Sequence, residues 1–163
     1  MKKVVLVLLV FAASLGCATK SESSSFEKIV YHTSGCFGFC PIYHLQVEGN
    51  GKIRLHIERV YTNGREVDST KIGYYEGTLD KALYSKLESE IRKFDTSKIK
   101  FENTSCCDGV LKTVILYRNG KREFVREMFE PEQMRPLVGV LNEICAFGGL
   151  RRVGEFEVEV GER

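Results

Sequence analysis

Between Pro41 and Glu58 apolar and polar residues alternate with a period of two, which marks a half-buried strand on each side of the turn Gly49-Asn50-Gly51. Burial decides the register. A two-residue turn would set Val47 against Arg54 and Leu45 against His56. A three-residue turn with Gly51 in the left-handed conformation instead pairs Val47 with Ile53, Leu45 with Leu55 and Tyr43 with Ile57. The second arrangement buries like with like, and it places His44 opposite His56, Gln46 opposite Arg54 and Ile42 opposite Glu58 on the other face.

Elsewhere the pattern predicts a first strand within Phe26 to Thr33, a loop or weak hairpin tip from Arg59 to Thr70, and a strand from Lys71 to Gly77. Asp80 is placed to cap a helix running to about Phe94, with Leu83, Leu87, Ile91 and Phe94 recurring every three or four positions. After an irregular link from Asp95 to Gly109, the runs Lys112 to Tyr117 and Lys121 to Phe129 flank Asn119-Gly120, a strong hairpin signal. Apolar residues on both faces of this hairpin predict a central place in the sheet. A second helix is expected from near Pro131 or Pro136, with Leu137, Leu141 and Ile144 on one stripe, ending at Gly148-Gly149. Phe156 to Val160 alternates again, as an edge strand or a frayed end does. The order of elements predicts an α+β fold, an antiparallel sheet of two or more hairpins with two helices packed on one face.

The N-terminus adds an address. Met1-Lys2-Lys3, an apolar run from Val4 to Ala13 and Ser14-Leu15-Gly16-Cys17 have the charged, hydrophobic and small-residue order of a secretory signal, and the run is too short to span a bilayer. Cys17 directly after Gly16 looks like a lipoprotein cleavage site, at which Cys17 becomes the acylated first residue of the mature chain. The expected organisation is a signal over residues 1–16, a lipidated cysteine and Ser-rich tether over 17–25, one α+β domain over 26–147, and a C-terminal tail or edge strand over 148–163. The expected location is the cell envelope, anchored to a bacterial membrane and facing the periplasm.

The 163 residues hold 24 Lys+Arg against 22 Asp+Glu. The signal carries two lysines and no acid, so the mature chain is balanced. That leaves no electrostatic case for nucleic acid, and membrane attachment falls to lipid on Cys17. The protein or small-molecule partner is not named by the sequence.

Candidate chemistry gathers in Cys36-Phe37-Gly38-Phe39-Cys40-Pro41-Ile42-Tyr43-His44. Four extended residues would part the two α-carbons by about 13 Å, whereas a disulfide needs about 4.4–6.8 Å, so a bridge here requires the chain to turn back. Gly38 permits the turn and Pro41 starts the next strand, making a rigid corner. The disulfide candidates are Cys36, Cys40, Cys106 and Cys107, and an exported chain is free to pair them. A second reading is a zinc or copper site from Cys40, His44 and His56 on one strand face, with a further ligand from Cys36, Cys106 or Cys107. A third is a thiol-redox pair, although the motif opens a strand and lacks the helix N-terminus that lowers a thiol pKa. His32 is expected at a surface or satisfied position apart from any cluster, and Cys145 as a buried apolar side chain. No serine-nucleophile elbow, phosphate loop, dinucleotide fingerprint or His-Glu-x-x-His occurs, and no catalytic residue is assigned.

Cys36-Phe37-Gly38, Cys40-Pro41 and Tyr43, followed by a hairpin with Gly51 at its turn, resemble the bacterial domain family numbered 6438 among the domains of unknown function, found in exported proteins and lipoproteins. The resemblance covers roughly Lys28 to Ile144. It implies that Cys36 and Cys40 form a self-contained pair, and it implies no activity. The leading expectation is therefore a lipid-anchored envelope domain that binds or interacts without catalysis.

Overall fold

The computed structural model describes residues 24–63, 65–99 and 108–160. Among these, seven strands form one antiparallel sheet: β1 Lys28–Thr33, β2 Ile42–Glu48, β3 Lys52–Arg59, β4 Gly73–Thr78, β5 Lys112–Arg118, β6 Lys121–Glu127 and β7 Arg151–Val153. Their spatial order is β6-β5-β1-β2-β3-β4-β7. Helices α1 (Lys81–Lys93) and α2 (Arg135–Cys145) pack on one face, giving the α+β architecture that the periodicity predicts.

The core is the set of side chains that alternation points toward the helices. Ile29, Tyr31, Leu45, Val47, Leu55, Val114 and Leu116 meet Leu83, Leu87 and Ile91 of α1 and Leu137, Leu141 and Ile144 of α2. Asp80 caps α1, its carboxylate accepting from the Leu83 N–H at 2.8 Å. α2 starts with Pro136 in its first turn, where the missing N–H costs no helix hydrogen bond. Tyr31 is fully buried beneath α2 and donates its hydroxyl to Asn142 Oδ1 at 3.0 Å. Burial pushes the Tyr31 hydroxyl well above its ordinary pKa, so it stays a donor. Cys145 is free and buried in the same layer, which raises its thiol pKa and fits the apolar role expected of it.

The β2–β3 register is the one burial selects: Val47↔Ile53, Leu45↔Leu55, His44↔His56 and Gln46↔Arg54, with Gly51 at φ 81°. Ile42 departs from expectation. It faces Arg59 rather than Glu58, because the ladder shifts between Ile42 and Tyr43. At the same point on the other edge of β2, the Thr33 hydroxyl of β1 donates to the Pro41 carbonyl and accepts from the Tyr43 N–H, each at 2.9 Å, beyond the last β1–β2 backbone pair His32↔His44.

The β5–β6 hairpin corrects another expectation. It lies at one end of the sheet, with β6 as an edge, instead of at the centre. Its second apolar face has a different origin. Ile115 is fully buried with its partner Val30 on the face away from the helices. That face carries a cover of its own, the segment after β7.

Candidate functional site

Alternation in β1, β2 and β3 sends His32, His44 and His56 to the face opposite the helices, and the pairings His32↔His44, His44↔His56 and His56↔Tyr74 line them up across four strands. His32 Nδ1 lies 2.9 Å from His44 Nδ1. The His44 and His56 rings stack at 5.3 Å, and His56 stacks on Tyr74 at 4.1 Å. His32 thus belongs to the histidine cluster, contrary to the isolated position expected of it. The sequence signal for this was the in-out alternation of β1. Its neighbour strand was not readable, because pairing to β2 depends on how the Cys36 corner returns the chain.

Hydrogen bonds order the row. His32 Nε2–H donates to the Glu159 carbonyl at 2.6 Å, so in the neutral ring Nδ1 is an acceptor and His44 Nδ1–H donates to it. His44 Nε2 lies 3.1 Å from Glu58 Oε2, which takes its N–H when the ring is protonated. Burial lowers the pKa of His32, the Glu159 carbonyl opposes that shift, and the neighbouring His44 adds to it. Burial also lowers His56, again with His44 acting in the same direction.

Residues after β7 complete the site. Gly154 to Val160 runs without regular structure across the open face as a strap, whereas the edge strand of the tail is the earlier Arg151–Val153. Phe156 packs edge-on against Tyr74 at 5.2 Å, with the Arg54 guanidinium 5.5 Å from its ring. Glu159 receives Lys28 Nζ at 2.7 Å, the Tyr117 hydroxyl at 2.6 Å and Arg122 Nε at 3.2 Å. Lys28 and His32 flank the buried Val30 on β1, so Glu159, bonded to both, spans that position. Burial pushes the Glu159 carboxyl up, but hydrogen bonds from Lys28, Tyr117 and Arg122 outweigh it and hold the pKa at about 2. Beyond the strap a groove of about 680 Å³ opens toward the β2–β3 turn, lined by Gln46, Lys52, Arg54, Glu76, Thr78 and Arg151 among others.

The thiols divide. Cys36 and Cys40 are paired, with α-carbons 5.7 Å apart, whereas Cys17, Cys106 and Cys107 lie outside the described residues. The metal set of Cys40, His44 and His56 is not assembled: Cys40 sulfur is bonded to Cys36, and the two imidazoles stack face to face instead of converging. Among the described residues no group of three or more His, Cys, Asp or Glu is arranged to hold a metal. The corner displays its aromatics. Phe37 is 90% exposed, and Phe39 packs edge-on against Tyr61 at 5.5 Å. Gly38 is not among the glycines with positive φ, so the turn does not need a left-handed residue there. Gly51 does need one, and Pro41 stands just before β2.

The family profile described as Domain of unknown function (DUF6438) matches residues 27–144. The chain belongs to this family. The family domain therefore contains β1 to β6, both helices up to Ile144, the cysteine corner and the histidine row, whereas β7 and the strap follow it. No curated protein matches the chain.

Acid is expected to destabilise the fold in two stages. His32 and His56 have folded pKa values below the ordinary 6.5, so the stability they contribute is present above that pH and is lost as pH falls through the folded values. Glu159, moved from 4.5 to about 2, adds a second loss across that lower window. Urea midpoints measured from pH 8 to 3 check this; a midpoint unchanged between pH 7 and 5 contradicts the histidine part.

Proposed function

We propose that the chain is an exported, lipid-anchored domain of the bacterial cell envelope, held to a membrane through acylated Cys17, that binds a partner on the open face of its sheet and performs no catalysis. The observation that carries the binding reading is the build of that face. One side of the sheet is filled by the helices, while the other gathers an aromatic and histidine row, paired charges and a groove of about 680 Å³, within the size range of ligand sites. The address reading rests on the signal-like N-terminus. Between Cys17 and the first described residue, Ser24, the tether reaches about 23 Å when extended.

The thiol-redox reading loses support because the paired Cys36 and Cys40 stand between two strands, with no helix N-terminus to stabilise a thiolate. Two measurements test the proposal. Cys17→Ser is expected to move the protein from the membrane to the soluble fraction and to abolish fatty-acid labelling; retention on membranes refutes the anchor. Thiol counting and elemental analysis of the mature protein are expected to find Cys36 and Cys40 blocked and no stoichiometric metal. One equivalent of zinc or copper would replace the partner-binding reading with a metal-binding one.

A further inference from the structure

Resting on the open-face reading, the geometry points to a partner of defined chemistry: an extended protein segment carrying an aromatic residue and, three positions later, a carboxylate, which takes the place held by the chain's own strap. The strap is a short ligand already seated. Phe156 occupies an aromatic and cationic niche made by Tyr74 and Arg54, on β4 and β3. Glu159 occupies a basic niche made by Lys28, Tyr117 and Arg122, on β1, β5 and β6, and its carbonyl meets His32. Phe156, Val158 and Glu159 are half-buried while Glu155, Glu157 and Val160 are exposed, so strict alternation holds from Glu155 to Val158 and breaks at Glu159, which turns inward in place of Val160.

Every receptor group lies within residues 27–144, the span of the family domain, and the whole strap lies outside it. The domain thus provides a complete binding surface, and the appended tail provides the occupant. Charge complementarity fixes the class: two cations and a phenol surround the inward carboxylate, and a guanidinium lies against the inward ring. A tethered segment faces its site at an effective concentration on the order of millimolar, so a free peptide at micromolar concentration does not displace it unless its own contacts are weakened.

The test uses the full chain and a fluorescein-labelled heptapeptide of sequence Gly154–Val160, followed by anisotropy. Substitution of the tail by Phe156→Ala with Glu159→Ala is expected to raise the affinity for this peptide at least tenfold over the wild type. A peptide with Glu159→Lys is expected to bind the same variant at least tenfold more weakly. Adding Lys28→Glu and Arg122→Glu to the protein should reverse that preference. The tail substitutions are on half-buried residues outside the core, and thermal unfolding checks the fold; if the double variant does not fold, Glu159→Lys alone serves as the tail-release variant. Equal affinity of wild type and variant overturns the inference, as does a tail-exchanged dimer of the wild type, seen as a doubled mass, which would make the occupant a second copy. Equal binding of the two peptides overturns the assigned chemistry while keeping the open face as a binding surface. Binding of neither peptide overturns the inference, and the Cys17→Ser result is independent of all these outcomes.

Discussion

Replacing Leu87 by alanine is expected to cost about 2–5 kcal/mol of folding stability. Leu87 is fully buried at the middle of α1, between Leu83 and Ile91, where the helix stripe meets the sheet. Truncation removes apolar area and leaves a void that side chains held by seven strands and a second helix cannot close without moving backbone. Against a total of about 5–15 kcal/mol for a domain, that is a large fraction. Ser89→Ala, two residues away on the exposed side of the same helix, is expected to change stability by no more than about 0.5 kcal/mol. Equilibrium urea unfolding of the two variants checks the contrast, and similar losses would show that α1 is not packed as described.

The contrast on α1 is also the part of the fold most legible in the sequence. A stripe at Leu83, Leu87, Ile91 and Phe94 behind Asp80 needs only local periodicity and a cap, and all four apolar residues are buried. The β2–β3 register was equally accessible, because pairing by burial admits one solution for Leu45 and Val47. From it followed the facing of His44 and His56. What local pattern does not carry is the order of strands. β1 inserts between β5 and β2, and only that long-range choice brings His32 to His44 and Lys28 to Tyr117. The hairpin around Asn119-Gly120 departs from expectation for the same reason: apolar residues on two faces predict a central strand, whereas here the hairpin lies at the end of the sheet and the strap binds on its second face.

The strap itself was hidden by its composition. Phe156 to Val160 alternates as a strand does, but its hydrogen-bonding edge is not in a ladder, and the inward position at its end is the acid Glu159 rather than Val160. A carboxylate reads as solvent-facing unless its three donors are known, and those donors are 42, 37 and 131 positions away in sequence. The Cys36–Cys40 pair stands between these cases. Its spacing allowed a bridge, a metal ligand set or a redox pair, and the turn that brings the α-carbons to 5.7 Å is what separates them.

Two glycines that look alike in sequence should respond to alanine with opposite signs. Gly49, at the β2–β3 turn, has no positive φ; what it needs is space, because a β-carbon there would stand 2.3 Å from the Phe26 carbonyl oxygen and about 3.1 Å from Ser24 Oγ. Its N–H donates to the Glu27 carbonyl at 2.7 Å, and its own carbonyl accepts the Tyr84 hydroxyl at 2.5 Å, so the segment before β1 is held against this turn from both sides. A flexible side chain would give way, but a carbonyl anchored by the buried Phe26 does not. Gly49→Ala is expected to destabilise by about 1–3 kcal/mol, the range for forced overpacking. Gly139 is exposed in the interior of α2, and a β-carbon there meets nothing within 4 Å. Gly139→Ala is expected to stabilise by about 0.5–1 kcal/mol, since alanine loses less backbone freedom in a helix. Urea unfolding of both variants decides the matter: a stabilising Gly49→Ala would mean that the chain before β1 does not dock on the turn, and with it would go the anchoring of the N-terminal segment beside Tyr84.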